Sequence, residues 1–359
     1  MNFRRWSKQV IGGFIASVVL IVIGATLLIP VPYFVLQPGV AIDVKPLVKV
    51  DKETAGEKGT FLLTTISLKE GNVFDYLYAK GSGRVELVPE QQILAENESE
   101  EEYQRRQAEN MIASQHNAII AAYREARRPV SVEILGIEVF QLVNNQPHVL
   151  QKGDLIKKVD QKLFSSTEKL IQYLSRKKPG DVVTVDLIRN GKRMEKKVKL
   201  VALPVSPGQK KRAGLGIVPV PRVEVKTSPP ASIETENIGG PSAGLMFSLE
   251  VLNQLIPEDL TRGYRIAGTG TISEKGEVGQ IGGIQHKIVA AEREEAQIFF
   301  CPKDRGPQDT NERMAKETAR RIGSKMKIIP VSSLKEAVRY LRTLPVHQAA
   351  ASFKVKTLT

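Results

Sequence analysis

Three scarcities narrow the field before any motif is read. The 359-residue chain has one cysteine, Cys301, so no disulfide can form within it, and the disulfide-stapled secreted class is excluded. Aromatic residues are only 6% of the chain and do not interleave with the lysines and arginines that give its net charge of +13. The stacking platforms and basic clusters of a nucleic-acid binder are therefore missing, and a solvated basic surface near anionic envelope polymers or lipid is expected instead. No G-x-x-x-x-G-K-[ST] loop occurs, so no nucleotide is expected as a partner. No metal site and no cofactor are expected either.

What the chain does have is an uncharged run, "VIGGFIASVVLIVIGATLLI" from Val10 to Ile29, about the length that crosses roughly 30 Å of hydrocarbon as a helix. A cleaved signal peptide is the competing reading. The run exceeds a usual signal core and no A-x-A site follows, which favours a retained anchor. Arg4, Arg5 and Lys8 precede it, against Lys45 and Lys49 well after it. That asymmetry sets residues 1–9 in the cytoplasm and everything after Pro30 outside. With a single cysteine, a bacterial exterior that does without disulfides fits best.

Residues 30–128 read as an extended juxtamembrane segment, a strand "GTFLLTTISL" and a helix between about Glu98 and Arg128. From 129 to 203 a compact module follows. "GIEVFQLV" and "DLIKKVD" are candidate strands, "SSTEKLIQYLSRKK" opens with a Ser165-x-x-Glu168 capping box, and Asn190-Gly191 sits between alternating apolar and polar residues as a hairpin turn. This order resembles a PDZ domain of the bacterial protease type, a family that binds extended peptides by strand addition. The resemblance implies a groove beside the strand Leu135, Gly136, Ile137, Glu138 and Val139, facing the helix from Glu168 to Arg176, with "ILGI" as the carboxylate-binding loop. A plain spacer is the alternative reading. Residues 213–345 alternate strands and helices: "SAGLMFSLEVLNQLI" is helical with Leu245, Leu249, Leu252 and Ile256 on one face, and "YRIAGTGTISEKGEVGQIGG" reads as a hairpin. Residues 346–359 read as a flexible tail. The fold class is α+β.

Within the last segment, Gly240-Pro241-Ser242-Ala243-Gly244 fits G-x-S-x-G, the elbow of serine hydrolases. That reading needs a downstream histidine. Only His286 and His347 follow, one on a helix with polar neighbours and one in the tail, and both are expected to face solvent. Lys287 falls instead on the apolar stripe Ile284, Lys287, Ile288, Ala291. There it either snorkels outward or buries its amine. Burial would lower its pKa from about 10.4 toward roughly 7 to 8, the range of a general base.

"IGGPSAGLMF", "IAGTGTISEKGEVGQIGGI" and the helix bearing Lys287 together resemble the proteolytic domain of the Lon peptidases. With the apolar run and the PDZ-like module, the chain is similar to the YlbL-type Lon-like serine proteases of Gram-positive bacteria. The resemblance implies Ser242 as nucleophile and Lys287 as general base, with Thr269 and the turn residues Gly240, Pro241 and Ala243 in support. It also implies a PDZ domain inserted in, or preceding, the Lon-type domain. The expected activity is ATP-independent, membrane-anchored endopeptidase action on extended or unfolded peptides. Such substrates would include a short secreted signalling peptide or a small membrane-tethered regulator. ATP-dependent Lon proteins often carry an acidic residue where this chain has Gly239.

Overall fold

In the computed structural model of the protein, residues 13–18, 24, 26–51, 58–82, 85–94, 100–143, 149–164, 166–203, 212–235 and 238–347 are described. Residues 1–9 and most of the uncharged run lie outside them. None of the described helices is long and apolar enough to cross a membrane.

In chain order the strands are β1 (Pro30–Asp43), β2 (Val48–Val50), β3 (Thr60–Asn72), β4 (Glu86–Pro89), β5 (Val130–Leu142), β6 (Leu155–Val159), β7 (Val182–Arg189), β8 (Lys192–Lys199), β9 (Val201–Ala202), β10 (Ala213–Gly214), β11 (Ile217–Thr227), β12 (Ala231–Ile233), β13 (Arg265–Gly268), β14 (Thr271–Ile272), β15 (Val278–Gly279), β16 (Ile298–Pro302) and β17 (Lys327–Val331). The helices labelled here are α1 (Val73–Ser82), α2 (Glu90–Ile93), α3 (Glu100–Glu125), α4 (Thr167–Leu174), α5 (Gly244–Leu255), α6 (Ile284–Arg293), α7 (Asn311–Arg321) and α8 (Leu334–Thr343).

The chain forms two compact units, and the second, Val130–Thr227, interrupts the first, Met1–Pro129 with Ser228–Thr359. The first is built on a six-stranded sheet in the order β17-β16-β13-β3-β1-β4. β13 runs parallel to β3 and β16, while β1 is antiparallel to β3 and β4. Strand alternation sends side chains to two faces. Leu62, Ala267, Phe299 and Cys301 pack with Ile284, Ile288 and Ala291 of α6 and with Ala315 and Ala319 of α7. On the other face, Gly268 meets α5, where a Cβ would stand 2.6 Å from the Met246 sulfur. Every residue of α5 is buried. Its apolar positions are thus not a single stripe, because α3 and the sheet enclose it. The expected hairpin after Tyr264 is also smaller than its sequence: β13 joins the parallel sheet, and only β14 and β15 pair as a hairpin.

The second unit is a five-stranded antiparallel sheet in the order β11-β5-β6-β7-β8, with α4 packed over its core. The Asn190-Gly191 turn has positive φ at both residues, 49° and 75°, as a type I′ hairpin requires. The helix cap falls one residue later than expected: Ser166, not Ser165, accepts the Lys169 N–H. The sequence reading ended this module at 203. In the fold, β11 pairs with β5 from Ile217↔Leu142 to Thr227↔Val130, so the unit runs on to Thr227.

Candidate active site

Gly240 stands at φ 86°, ψ 157°, a conformation open to glycine and costly for other residues. It turns the chain into a 3-10 turn, Pro241–Ala243, that leads straight into α5. Helix α3 holds this turn from behind. Gly240 N–H donates to the Gln107 carbonyl at 2.9 Å, and Ser114 Oγ donates to the Pro241 carbonyl at 3.0 Å. A Cβ on Gly239 would come within 2.9 Å of Gln107 Cβ. Any side chain at 239 would therefore have to displace Gln107 of α3. Ser242 is half-buried, and its carbonyl is fixed by Gly270 N–H at 2.8 Å and Thr269 Oγ1 at 3.0 Å.

Lys287 comes to the same point from α6, on the other side of the sheet. The strand β13 stops pairing with β3 at Gly268↔Leu63, and the next carbonyl along β3, that of Thr64, accepts from Lys287 Nζ at 2.9 Å. Nζ also lies 2.7 Å from Ser242 Oγ and 3.1 Å from Thr269 Oγ1. The residue is 2% exposed, and burial lowers its pKa from 10.5 to about 7.

A hydrogen-bond account of these contacts fixes roles. The Thr64 carbonyl can only accept. The Thr269 hydroxyl spends its proton on the Ser242 carbonyl, so it too accepts from the amine. A neutral amine has two N–H bonds for these two acceptors and one lone pair left, and that lone pair faces the Ser242 hydroxyl. No ionised side chain is among these three contacts of Nζ.

Ser242, Lys287 and Thr269 are thus brought together, with Gly240, Pro241 and Ala243 forming the turn. Sequence reasoning missed Thr64, whose contribution is a backbone carbonyl and leaves no mark in side-chain pattern, and Ser114 and Gln107, which sit in the long helix far upstream. The two histidines are not solvent-facing as expected. His286 is 7% exposed and its Nε2 lies 2.9 Å from Glu86 Oε2; the hydrogen bond from His286 holds the Glu86 carboxyl below its usual range. Both line a cavity of about 590 Å³ with Val85, Gln285, Met314 and Arg321, which does not include Ser242. His347 stacks on Tyr264 with ring centroids 4.8 Å apart, and its N–H donates to the Arg262 carbonyl at 2.7 Å. It is half-buried and tied down rather than part of a free tail; residues 348–359 lie outside the described ones.

In the second unit the expected peptide edge is closed. Ile137 and Glu138 pair with β11 on one side and β6 on the other, and Val139 exchanges backbone bonds with Gly153 and Asp154. A cross-strand oxygen, that of Ile156, lies 2.6 Å from where a Gly136 Cβ would be, and the Leu135 carbonyl accepts from Lys157 Nζ. "ILGI" is therefore mid-strand, not a loop. The outer strands of the sheet are β8 and β11, and β11 is the one that α4 flanks. Just before it stands a second such pattern, Gly214-Leu215-Gly216-Ile217, with Gly216 at φ 70°. Leu215 and Ile217 pack with Leu170 and Leu174 of α4. That repeat of "LGI" was the signal available in the sequence, hidden at the start of the 213–345 segment, which reads as part of the other domain.

The backbone of this edge is unusual. Val139 N–H and C=O both point toward β6, so its β11 partner Pro219 forms a non-hydrogen-bonded pair and turns its own backbone outward. Alternation turns Ile217 and Pro221 outward as well. Ile217 offers a donor and an acceptor; Pro219 and Pro221 offer carbonyls alone.

Comparison with known proteins meets this geometry. Residues 234–343 match the model of the Lon protease (S16) C-terminal proteolytic domain, and residues 108–200 match a PDZ domain. The chain joins a PDZ domain to a Lon-type proteolytic domain. The Lon protease of Chloroflexus aggregans is 30% identical over 99 residues, which are 28% of this chain and 11% of that one. That of Metamycoplasma arthritidis is 30% identical over 102 residues, again 28% and 11%. The chain thus spans 11% of the length of these curated relatives. Among solved structures, the PDZ domain of an SdrC-like protein from Listeria monocytogenes is 32% identical and covers 25% of this chain and 93% of its own, with a TM-score of 0.23. The Lon-type match contains Ser242, Thr269 and Lys287, whereas Thr64, Gln107 and Ser114 lie outside it. The PDZ match ends at residue 200, before β10 and β11.

Proposed function

We propose that this protein is a serine endopeptidase in which Ser242 attacks the substrate carbonyl and Lys287 is the general base. The observation that carries the reading is the buried amine 2.7 Å from Ser242 Oγ, with its other contacts being acceptors. Neutral Lys287 takes the Ser242 proton as the oxygen bonds to the peptide carbon. The resulting ammonium still satisfies the Thr64 carbonyl and the Thr269 hydroxyl, and passes its third proton to the leaving amine. Water, deprotonated by the same lysine, then releases the acyl group and regenerates Ser242.

The first N–H groups of a helix have no intrahelical acceptor. Those of Ser242 and Ala243, at the start of the 3-10 turn, are suited to receive the oxyanion, where one such donor contributes about 3 kcal/mol. Thr269 positions both partners at once. Residues 58–129, which supply Thr64, Gln107 and Ser114, are on this reading the front of the protease domain, with the PDZ domain inserted in it.

The substrate class follows from the second unit: an extended peptide or protein segment, added along β11. Localisation enters the proposal through the uncharged run 10–29, as a single-pass anchor with the catalytic part outside the cell. Cleavage is expected to need no nucleotide.

The decisive measurement compares new peptide N-termini in the envelope and medium of cells making the intact protein, Ser242→Ala or Lys287→Ala. Both variants should lose the same set of termini, whereas His347→Ala should keep it. Identical termini in all four strains would sink the peptidase reading.

A further inference from the structure

α1 is turned inside out. Its inward side carries a charge: Asp75 is buried, ion-paired with Lys69 at 3.0 Å, and exchanges hydrogen bonds with Asn72 at 2.8 and 3.3 Å. Ala79, one turn on, is also buried. Tyr76 is held by Tyr33 of β1, ring centroids 5.5 Å apart, with Lys80 4.8 Å above its ring. The outward side bears Phe74, Leu77 and Tyr78, which are 47%, 60% and 45% exposed. Their spacing of i, i+3, i+4 makes one stripe. The rings of Phe74 and Tyr78 stack on it at 6.2 Å.

A stripe of large apolar side chains held in water is a surface waiting for an apolar partner. Its position names that partner. The Val73 N–H, at the first residue of α1, donates to the Ile29 carbonyl at 3.1 Å, and Pro30 pairs with Asn72. Ile29 is the last residue of the uncharged run, and Leu27, Leu28 and Ile29 are themselves exposed. The stripe therefore starts within one hydrogen bond of the point where the anchor would leave the bilayer. Lipid there is at an effective concentration that no soluble partner matches. Aromatic rings with a polar tip, such as Tyr78, and lysines that reach past apolar neighbours, such as Lys80, are the side chains that settle at the headgroup level.

We propose that α1 lies in the bilayer interface, with Phe74, Leu77 and Tyr78 among the headgroups and upper acyl chains of the phospholipid surrounding the anchor. The inference rests on reading residues 10–29 as a retained anchor. It makes this face of the first unit a second membrane contact, beside the span.

The test uses the full chain in phosphatidylcholine–phosphatidylglycerol vesicles, with Leu77→Cys carrying an environment-sensitive fluorophore. Cys301 is fully buried, so labelling under native conditions is selective for the new thiol. Ile322→Cys, at the exposed end of α7, is the control. Phosphatidylcholine spin-labelled near the headgroup should quench the probe at 77 roughly two-fold and blue-shift it, and should leave 322 unchanged. An unquenched probe at 77, in protein that survives an alkaline carbonate wash, overturns the inference and leaves the anchor standing. Ready 77–77 disulfide formation between copies without quenching also overturns it, in favour of a second copy as the cover. Release of the chain by carbonate refutes the anchor. Quenching at 77 that persists on such a peripheral chain before the wash still supports α1, and its absence takes both down.

Discussion

On the proposed reading, the site around Lys287 and the edge of β11 are opposite solutions to handling a peptide. At Lys287 each contact of the amine is assigned, the group is buried, and each partner is held by a second element: Thr64 by β3, Thr269 by the Ser242 carbonyl, Ser242 by the turn against α3. At β11 the backbone is open, and its first two outward positions beyond Ile217 are prolines that accept but never donate. The first is prepared before substrate arrives, which is what electrostatic catalysis demands. The second offers only part of a strand's grip, which suits a surface that must let go of what it holds.

The sharpest way to break the contrast is to remove the charge problem from the prepared side. Lys287→Met comes close to the volume of the side chain, one atom shorter, but loses the amine. Catalysis should fall about 10³-fold or more, since both nucleophile activation and leaving-group protonation go. Stability should rise. The folded pKa of about 7 lies below the unfolded value of 10.5, so between these limits the unfolded chain binds the extra proton. The lysine therefore costs stability at every pH below its unfolded value, with the full cost reached below about 7. At neutral pH that cost is of the order of a few kcal/mol, and methionine should recover part of it as a higher Tm in a thermal melt. A variant that melts lower than the parent would mean the amine's three hydrogen bonds outweigh its desolvation. In the unaltered enzyme kcat/KM should rise with pH through about 7 and then level off, because the neutral amine is the active form. An acid limb centred well away from 7 would point to another base.

The next effect down separates chemistry from support. Thr269→Val leaves one N–H of Lys287 without an acceptor and removes one of the two donors to the Ser242 carbonyl, leaving Gly270 N–H. A loss of about 10- to 100-fold in kcat is expected, with the acid limb of the pH profile displaced. Ser114→Ala touches only the back of the turn. Its loss should be smaller, about 10-fold at most, with the pH profile unmoved and KM little changed. If Ser114→Ala displaces the profile as Thr269→Val does, the turn and the amine are coupled more tightly than these contacts imply.

How much of this was legible in the sequence also divides along the two regions. Lys287 stood out because a lysine on an apolar helical stripe contradicts its surroundings, and the resemblance to the Lon proteolytic domain paired it with Ser242; the structure brings the two side chains together. The strands flanking Asn190-Gly191 and the long helix before residue 128 declared themselves by turn chemistry and by a run without glycine or proline. What stayed hidden was long-range. Thr64 acts through a backbone carbonyl left without a ladder partner where β13 ends, and nothing local records that. His286 looked exposed because its helical neighbours are polar, yet β4, distant in sequence, supplies Glu86 to cover it. The PDZ edge was misplaced because strand order is not sequence order: β11, last in the unit, takes the outermost position beside β5, first in the unit. The sequence holds a second "LGI" stretch, at Leu215 to Ile217, and only strand order puts it rather than Ile134 to Ile137 at a sheet edge.

The smallest predicted effect bears on the open side. Pro219→Ala would return one outward N–H to β11 without removing any bond to β5, because position 219 faces away from that strand. One added backbone hydrogen bond is worth about 1 kcal/mol net, so an extended peptide that lies along this edge should bind up to about five-fold tighter. Fluorescence polarisation with labelled peptides on the full chain reads this directly. A peptide N-methylated at different bonds supplies the control. The gain from Pro219→Ala concerns a peptide carbonyl and should survive N-methylation, whereas blocking the peptide N–H that the residue 219 carbonyl accepts should weaken binding to parent and variant alike. A gain without that second loss would mean the substitution merely loosened the strand. No gain at all would mean that peptides bypass the edge, and that β11 is proline-blunted to keep other strands off rather than to hold a substrate lightly.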